Sequence, residues 1–337
     1  MTTDARILTA LRAAGAGWVS GADLSQTLGL SRAAIWARIE ELRGLGYVIE
    51  AMPHRGYRLQ SAPDLLHADD LLSRLAGAGV VGRDIRVFQQ TTSTNDVVEK
   101  LAVDGVQEGM AVFAESQTKG RGRLGRCWVS PAGKGLLFSV LLRPALPPQS
   151  ATQLTITAAT AVARAIQRHA GMAPEIKWPN DILLRGRKTA GILTELSAEL
   201  DHIKYVILGI GVNVNLETTD FPPEWRGTST SLRLAAGRPV SRSELAADLL
   251  RELDADYARV CAGQFIAVAD EWERQCATLG QQVRICGGGR EVSGRAESLD
   301  EDGALLVRTQ HGRLERIVGG DVAFATDKGS SVRRGSG

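Results

Sequence analysis

The most informative stretch of this chain is Gly120-Arg121-Gly122-Arg123-Leu124-Gly125-Arg126, which is followed at once by Cys127-Trp128. Glycines let backbone N–H groups approach a ligand closely, and each guanidinium presents planar donors that match carboxylate or phosphate oxygens. From Ser116 to Arg143 the chain contains six Lys or Arg residues and no Asp or Glu, so the segment has no local counter-charge. The stretch therefore indicates an anion-binding loop between two structural elements, and the alternative is an exposed basic turn.

Composition limits the classes of protein to which the chain can belong. Its 337 residues, 44% of them hydrophobic, can bury a sizeable core and predict two or three domains. Basic residues barely outnumber acidic ones (40 against 38), so an anion site must come from local clustering. The four cysteines lack C-x-x-C spacing, and neither a signal peptide nor a long apolar window is present. We expect a cytoplasmic protein with reduced thiols and no membrane partner.

The first sixty residues have the pattern of a winged helix-turn-helix. The predicted helices are 4–14, 21–28 and 31–44, and the predicted strands are 47–51 and 56–59. Ser20 and Ser31 stand where N-caps belong, and Met52-Pro53-His54-Arg55 predicts a hairpin wing with a basic tip. In such modules the third helix enters the major groove of DNA. A protein-interaction domain with the same fold is the alternative.

DNA binding by one copy of this unit is expected to be weak. Residues 1–60 contain seven Arg against five Asp or Glu, so useful affinity requires a dimer. The candidate DNA-binding residues are Ser31, Arg32, Trp36, Arg38, Arg43, His54 and Arg55.

The rest of the chain alternates strand and helix patterns and then becomes rich in β-strands. The expected central strands are 85–88, 111–114, 136–142, 175–178, 182–184, 190–196 and 205–214, with helices from about 93–95 and over 150–170. Strands joined by tight turns predict a mixed or antiparallel sheet backed by helices. Short runs at 282–286, 292–298, 304–308 and 314–317 predict a small β-barrel. We expect segments 1–62 (winged unit), 63–82 (linker and entry helix), 83–272 (catalytic), 273–326 (barrel) and 327–337 (disordered tail).

Four segments of the central region carry polar residues typical of ligand sites. They are Thr92-Ser93-Thr94-Asn95-Asp96, then 115–119 leading into the glycine–arginine loop, then 177–183 continuing through 188–195, and finally 209–215. Hydroxyl and amide groups at a helix start can bind a compact polar ligand, although the first segment alone is more often an ordinary N-cap.

Together these motifs, placed between a winged unit and a small β-rich unit, resemble the biotin protein ligase family and its bifunctional members that also act as repressors. The resemblance covers nearly the whole chain. It implies an α+β fold with an N-terminal winged helix-turn-helix, a class II synthetase-like central mixed β-sheet with helices, and a C-terminal SH3-like β-barrel. It implies that the protein activates biotin with ATP and Mg²⁺ to biotinyl-5'-AMP and transfers biotin to one lysine of the biotin carboxyl carrier protein of acetyl-CoA carboxylase. It also implies a homodimer that, with biotinyl-5'-AMP as co-repressor, binds operator DNA of biotin synthesis genes.

The residue types fit that chemistry. Attack of a carboxylate on the α-phosphate brings like charges together, so cationic side chains and Mg²⁺ must offset the repulsion. By the family pattern, Arg123 binds the biotin and adenylate portion, and Lys188 contacts the biotin carboxylate and the α-phosphate. Asp181 is either a turn-former or the carboxylate that orients or deprotonates the incoming lysine. These three are the catalytic candidates.

The resemblance also assigns binding residues. Those for biotin are Ser93, Thr94, Asn95, Gln117, Gly120, Arg121, Gly122, Arg123, Ser139, Lys188, Gly191, Ile192 and Leu193. Those for ATP or the adenylate are Arg121, Arg123, Arg126, Trp128, Lys177, Asn180, Lys188, Asn213 and Trp225. Asn213 is also a candidate Mg²⁺ ligand, although a turn amide at a strand end would look the same. Trp128 is equally well explained as core, and Leu124 stands where some relatives have a further arginine.

Two other functions remain open from the sequence. One is a repressor whose ligase domain only senses biotin, and the complete cationic set of Arg121, Arg123, Arg126 and Lys188 argues against it. The other is a lipoate–protein ligase, which uses the same adenylation chemistry on another carboxylic acid. The run Lys177-Trp178-Pro179-Asn180-Asp181 and the glycine–arginine loop favour biotin.

Overall fold

The N-terminal unit is a winged helix-turn-helix, as predicted. The computed structural model describes residues 1–324 except 76, 78 and 288, so the tail predicted over 327–337 lies outside the described residues. The elements of the unit are α1 (Thr3–Ala13), α2 (Gly21–Leu28), α3 (Arg32–Gly44), β1 (Val48–Met52) and β2 (Gly56–Ser61). The strands β1 and β2 pair antiparallel to form the wing.

Local sequence explains where these helices begin and end. The Ser20 and Ser31 hydroxyls accept hydrogen bonds from the backbone N–H of Ala22 and Ala34, both at 3.1 Å, so both serines are N-caps. Gly29 ends α2 with φ +69°, a conformation that favours glycine. The unit has its own hydrophobic core, formed by Ile7, Leu8, Leu11, Leu24, Ile35, Ile39, Leu42, Tyr47 and Ile49.

The segment between the winged unit and the central sheet is a packed element. Its helix α4 (Ala68–Arg74) contacts α1, and Leu66, Leu71 and Leu75 belong to the central hydrophobic core. Asp70 is only 1% exposed and accepts hydrogen bonds from Arg12 of α1 and from Arg74 at 2.7 Å. The predicted linker with its entry helix is therefore fixed to both neighbours.

The central region is built on one seven-stranded sheet with the order β3-β4-β5-β9-β8-β7-β6. Its strands are β3 (Asp84–Thr91), β4 (Met110–Gln117), β5 (Gly135–Leu142), β6 (Glu175–Lys177), β7 (Asp181–Leu184), β8 (Arg187–Ala198) and β9 (Ile203–Asn213). The β3–β4 pair is parallel and the other pairs are antiparallel, which confirms the predicted mixed sheet.

Helices cover both faces of this sheet. They are α5 (Thr94–Val103), α6 (Ala151–Ala170), α7 (Leu232–Ala236), α8 (Arg242–Cys261) and α9 (Phe265–Gln275). Because side chains alternate along a strand, Val112 of β4 packs with α5, whereas Phe113 belongs to the core shared with α6 and α8. Phe113 stacks on Phe138 with ring centroids 4.8 Å apart. The starting end of α5 and the sheet face beneath it frame the site described below.

The C-terminal unit is a five-stranded antiparallel sheet of order β13-β12-β11-β10-β14. Its strands are β10 (Gln282–Gly287), β11 (Arg290–Leu299), β12 (Leu305–Thr309), β13 (Leu314–Ile317) and β14 (Asp321–Phe324). Four of these strands were predicted and β14 was not. Val283, Ile285 and Val307 share the hydrophobic core of the central region. The antiparallel sheet is confirmed, and its closure into an SH3-like barrel stays a prediction.

None of the helices in the described part of the chain combines the length and apolar character needed to cross a membrane.

We predict that Asp70→Asn destabilises the protein by about 3 kcal/mol, because it leaves two guanidinium groups beside a buried amide that carries no charge. Denaturant unfolding of the full chain measures this difference. Asp69→Asn is the matched control on the same helix, since Asp69 accepts one exposed hydrogen bond from Thr2. Equal losses in the two variants would contradict the importance assigned to the buried carboxylate.

Candidate active site

The sheet face beside α5 carries three glycines, Gly191, Gly209 and Gly211, which we call the glycine floor, and we refer to the site on this face as the trough. Gly211 of β9 pairs with Gly191 of β8, and Gly209 pairs with Leu193 and with Ser139 of β5. A Cβ atom at Gly211 would lie 2.5 Å from the Trp128 ring, and one at Gly209 would overlap the Asn95 side chain. The floor needs glycine because other side chains lie directly against its backbone.

A connected set of polar side chains closes one end of the trough. The Gln117 side-chain oxygen accepts hydrogen bonds from the Thr94 backbone N–H at 2.7 Å and from its hydroxyl at 3.1 Å. The Ser139 hydroxyl contacts the Thr94 hydroxyl at 2.7 Å and the Asn95 side-chain oxygen at 2.5 Å. Thr94, Asn95 and Ser139 are buried, as is Ser93 at the N-cap of α5. Such a set offers both donors and acceptors to a compact polar ligand.

The glycine–arginine loop is folded into a tight hairpin above the other end of the trough. The Gly122 N–H donates to the Arg126 carbonyl at 2.7 Å, and the Trp128 N–H donates to the Gly120 carbonyl at 2.9 Å. Leu124 has φ +54° at the exposed tip. The hairpin presents its three arginines in different directions.

Each arginine of the hairpin has a protein partner. Arg121 lies 2.9 Å from an Asp96 oxygen and 3.0 Å from a Glu195 oxygen. Arg123 donates to the Asn180 side-chain oxygen at 3.1 Å, and burial lowers the pKa of its guanidinium because a cation is less stable away from water. Arg126 donates to Asp321 at 3.0 Å. An anionic ligand would thus replace existing carboxylate or amide partners.

Lys188 lies on the same face of the sheet as the glycine floor. Its Nζ is 2.6 Å from an Asp181 oxygen and 5.7 Å from the centroid of the Trp128 ring. A Cβ at Gly191 would contact the Lys188 Nζ at 3.4 Å, so the ammonium lies directly over the floor. Asp181 is opposite Gly191 in the β7–β8 pair. The structure therefore brings Lys188, Asp181 and Trp128 together with Gly191 and Gly211.

The other sequence-predicted residues surround this group at different distances from it. The Lys177 Nζ lies 5.0 Å from the Phe324 ring centroid, so this lysine faces β14. The Asn180 side-chain N–H donates to the Ile192 carbonyl at 2.7 Å. Trp225 is half-buried in a short helical turn, and its carbonyl accepts from the Ser229 N–H at 2.8 Å. That segment also borders the site, because the Lys188 N–H donates to the Thr228 carbonyl at 2.8 Å.

Asn213 is buried, and its side-chain N–H donates to the Thr230 carbonyl at 3.1 Å. Within residues 1–324, leaving aside 76, 78 and 288, no cluster of three or more His, Cys, Asp or Glu side chains could bind a metal ion. Magnesium is commonly bound through one or two protein groups together with substrate phosphates. The role of Asn213 as a Mg²⁺ ligand stays a prediction.

The candidate DNA-binding residues differ in their partners. Arg32 and Trp36 are exposed on α3, and Ser31 caps it. Arg38 pairs with Asp4 at 2.8 Å, and Arg43 pairs with Glu40 at 2.5 Å, so both charges are already neutralised within the protein.

The wing carries the other candidates. His54 has φ +63° in the wing turn. The Arg55 and Arg58 guanidinium groups lie 5.1 and 4.7 Å from the Trp18 ring centroid. The exposed groups, rather than the paired ones, are the better candidates for phosphate contact.

Several residues at the site had no assigned role in the sequence analysis. Asp96 and Glu195 stand inside two of the quoted motifs, but only the structure pairs both with Arg121. Glu195 also accepts from the Asn95 side-chain N–H at 2.7 Å, so one carboxylate joins the polar end of the trough to the loop. Asp321 lies in a strand that was not predicted, and no local signal marks it.

Comparison with known proteins agrees with this geometry. The biotin/lipoate A/B protein ligase family model matches residues 87–213, an HTH domain model matches 4–58, and the biotin protein ligase C-terminal domain model matches 278–325. The chain is 38% identical to the bifunctional ligase/repressor BirA of Bacillus spizizenii, covering 92% of this chain and 94% of that one.

The chain belongs to the biotin protein ligase family.

Two further relatives show how widely the family likeness extends. The biotin–[acetyl-CoA-carboxylase] ligase of Mycobacterium tuberculosis is 35% identical, covering 75% of this chain and 93% of that one. The solved structure of biotin protein ligase from Aquifex aeolicus in complex with biotin and ATP has a TM-score of 0.62 and 29% identity, covering 72% of this chain and 98% of that one. The trough, the hairpin loop and Lys188 all lie within the part of the chain that matches the biotin/lipoate ligase family model.

We predict that Gly211→Ala weakens biotin binding about ten- to hundredfold, because the new Cβ forces Trp128 or the strand to move at a cost of about 1–3 kcal/mol. Calorimetric titration with biotin measures this change. Gly44→Ala is the control, since no atom lies within 4 Å of its added Cβ. Unchanged biotin affinity in Gly211→Ala would show that the floor does not shape the ligand pocket.

Proposed function

We propose that this protein is an ATP-dependent biotin–protein ligase that activates biotin to biotinyl-5'-AMP, transfers it to a lysine of a biotin carboxyl carrier protein, and represses biotin synthesis genes through its winged unit. The observation that carries this proposal is the convergence of the buried polar set, the glycine floor, Lys188 and the arginine hairpin on one face of one sheet. Family membership and the winged unit support it.

The polar end of the trough fits the head of biotin. A ureido group needs donors and acceptors on opposite sides, and the set of Thr94, Asn95, Gln117 and Ser139 supplies both kinds. The glycine floor lets Trp128 and the Lys188 side chain lie close to the backbone, and the Trp128 ring would contact the apolar bicycle or the extended chain of the ligand. On this arrangement the carboxylate of biotin points toward Lys188.

The cationic end fits adenylation. In that step an oxygen of the biotin carboxylate forms a bond to the α-phosphorus of ATP while the bond to the departing pyrophosphate breaks. Lys188 and Arg123 would stabilise the negative charge shared by the carboxylate and the α-phosphate, and the Mg²⁺ of MgATP would offset charge on the phosphates. Arg121 and Arg126 would exchange their carboxylate partners for ligand oxygens, which would order the hairpin over the adenylate and exclude water.

The transfer step requires a neutral amine. The acceptor lysine attacks the acyl carbon of biotinyl-5'-AMP, an amide bond forms and AMP leaves. Asp181 lies beside Lys188 at 2.6 Å, so it would orient the incoming ammonium or accept its proton close to the reacting carbon. The name of the Mycobacterium tuberculosis relative supports the carrier of acetyl-CoA carboxylase as the partner.

Incubation with biotin, MgATP and a carrier domain, followed by mass measurement of the carrier, tests the ligase proposal. We expect a mass increase of one biotinyl group, and a lack of labelling would indicate a biotin sensor.

We predict that Arg123→Ala lowers the adenylation rate, or shortens the time for which the adenylate stays bound, about a hundredfold, since one charge-stabilising donor is commonly worth that much. Arg308→Ala, which removes a surface arginine paired with Glu297, should leave both unchanged.

A lipoate–protein ligase is the second candidate, since the matching family model includes both kinds of enzyme. The two cofactors share a carboxylate on a flexible chain, but lipoate lacks the ureido group that the polar end of the trough would bind. Competition of lipoate against biotin decides between them. Preferential binding of lipoate would overturn the assignment to biotin.

The winged unit supports operator binding by a homodimer that forms with biotinyl-5'-AMP. The wing and α3 present Arg32, Trp36, His54 and Arg55 on a unit with its own core. A two-fold dimer would place two such units on a two-fold operator. Two units are needed because the small excess of basic residues in one unit gives only weak DNA binding. The cytoplasmic location expected from the sequence stays a prediction.

We predict that Arg32→Ala weakens binding to DNA from upstream of the biotin synthesis genes and lowers the salt dependence by about one phosphate contact. Titrations at several salt concentrations, with biotin and MgATP present, measure the slope of log K against log salt. Arg308→Ala removes one charge outside the winged unit and serves as the control. Parallel slopes for Arg32→Ala and the parent protein would remove Arg32 from the interface.

A further inference from the structure

A buried ion pair outside the trough connects three parts of the chain. Arg242, the first residue of α8, is 2% exposed, and Glu115 of β4 is 5% exposed. The guanidinium donates to the two Glu115 carboxylate oxygens at 2.5 and 3.3 Å. Neither residue contacts the trough described above, so the proposed chemistry gives no reason for the pair.

Glu115 lies near the start of the glycine–arginine loop region in sequence, and its carboxylate contacts the far end of that region. Glu115 stands two residues before Gln117, whose side-chain oxygen accepts from Thr94, and its own carboxylate accepts from the backbone N–H of Gly133 at 3.2 Å. Residues 118–134 form the connection between β4 and β5 that contains the arginine hairpin. Through Gly133, the Glu115 carboxylate therefore connects the strand before this segment to the end of the segment.

The same pair also contacts the segment that leads out of the winged unit. Arg242 donates from its side chain to the Asp64 carbonyl at 2.8 Å and from its backbone N–H to the Asp64 carboxylate at 2.7 Å. Glu115 accepts from the Leu66 backbone N–H at 3.4 Å. Asp64 and Leu66 lie in the segment that leads from the wing strand β2 to helix α4. This segment and the glycine–arginine loop region therefore contact the same pair of side chains.

Stability alone does not account for this arrangement. A buried ion pair is often no more stabilising than well-packed apolar residues of similar size, because both charges lose their hydration. What apolar residues cannot supply is a fixed direction toward specific backbone groups. The guanidinium donates to the Asp64 carbonyl, and the carboxylate accepts from the Leu66 and Gly133 N–H groups. These hydrogen bonds place the two segments relative to each other.

We propose that Arg242 and Glu115 are positioning residues with two roles. They hold the end of the glycine–arginine loop where it retains the adenylate. Through Asp64 and Leu66 they also link the order of that loop to the segment that leads out of the winged unit. The proposal rests on the proposed ligase function. A shift of the loop ends on closure would change the Gly133 contact, and the shared carboxylate and guanidinium would pass that change to residues 64–66.

The test compares a double substitution with a matched one on the same helix. Glu115→Leu/Arg242→Met removes both charges together, so neither is left unpaired. The control is Arg164→Met/Asp256→Leu, which removes an ion pair between α6 and α8 that does not touch the loop. Asp256 is buried and the Arg164 side chain is partly exposed, and Arg164 also pairs with Glu252 and Glu271. Thermal unfolding of the ligand-free full-length proteins first establishes that both double variants are folded.

Two measurements then follow on the full-length proteins. Pyrophosphate release from biotin and MgATP shows whether the parent protein makes the adenylate; if it does not, the proposed function fails and the positioning role is not the cause. The dissociation rate of preformed biotinyl-5'-AMP should rise at least tenfold in Glu115→Leu/Arg242→Met and stay near the parent value in the control. A parent-like rate in both folded variants would overturn the proposal.

The link to the winged unit needs its own observation. Hydrogen exchange is compared with and without biotin plus MgATP, in peptides covering 118–134 and 62–75. We expect loading to change both segments in the parent protein. In Glu115→Leu/Arg242→Met, which removes the side-chain contacts to Asp64 and Leu66, it should change the loop but leave the second segment at its ligand-free level. Exchange in 62–75 that does not respond to loading in the parent protein, or that responds equally in Glu115→Leu/Arg242→Met, would overturn this part.

Discussion

Close approach to backbone that lacks side chains is the constraint on which the site depends. Trp128 and Asn95 can lie against the sheet only because Gly209 and Gly211 carry no Cβ atom. Their positions in turn determine where the hairpin returns to the sheet and where α5 begins. The Lys188 ammonium lies over the third glycine of the floor, Gly191. Three glycines on two adjacent strands therefore determine how closely Trp128, Asn95 and the Lys188 ammonium approach the sheet backbone.

Charge neutralisation is the second organising principle. In the described structure the cations Arg121, Arg126 and Lys188 all contact carboxylates of the protein. These pairs are partly exposed, so each is worth little to stability, and exchange for a substrate oxygen costs little. The acidic partners thus offset the charge of a strongly basic hairpin.

The sequence predicted the fold where patterns are local and less well where partners are distant. Helix caps at Ser20 and Ser31, the strands of the mixed sheet and the glycine–arginine loop follow from neighbours in the chain. No element was predicted between residues 215 and 277, although Leu245, Leu249, Leu253 and Tyr257 recur at helical spacing in α8. That region carries no recognisable motif, and β14 is only four residues long and follows two glycines. Burial of Arg242 has no local signature at all, because its partners are 127 and 178 positions away.

The two ends of the chain differ in how they join the catalytic sheet. The winged unit encloses its own hydrophobic core, whereas the C-terminal strands share theirs with the central region. During evolution the first arrangement allows the winged unit to be gained, lost or exchanged as a whole once its contact with α4 through Arg12 and Asp70 is replaced. The second requires the C-terminal strands and the sheet to change together, residue by residue. A truncated enzyme made from this chain should therefore lack N-terminal rather than C-terminal residues.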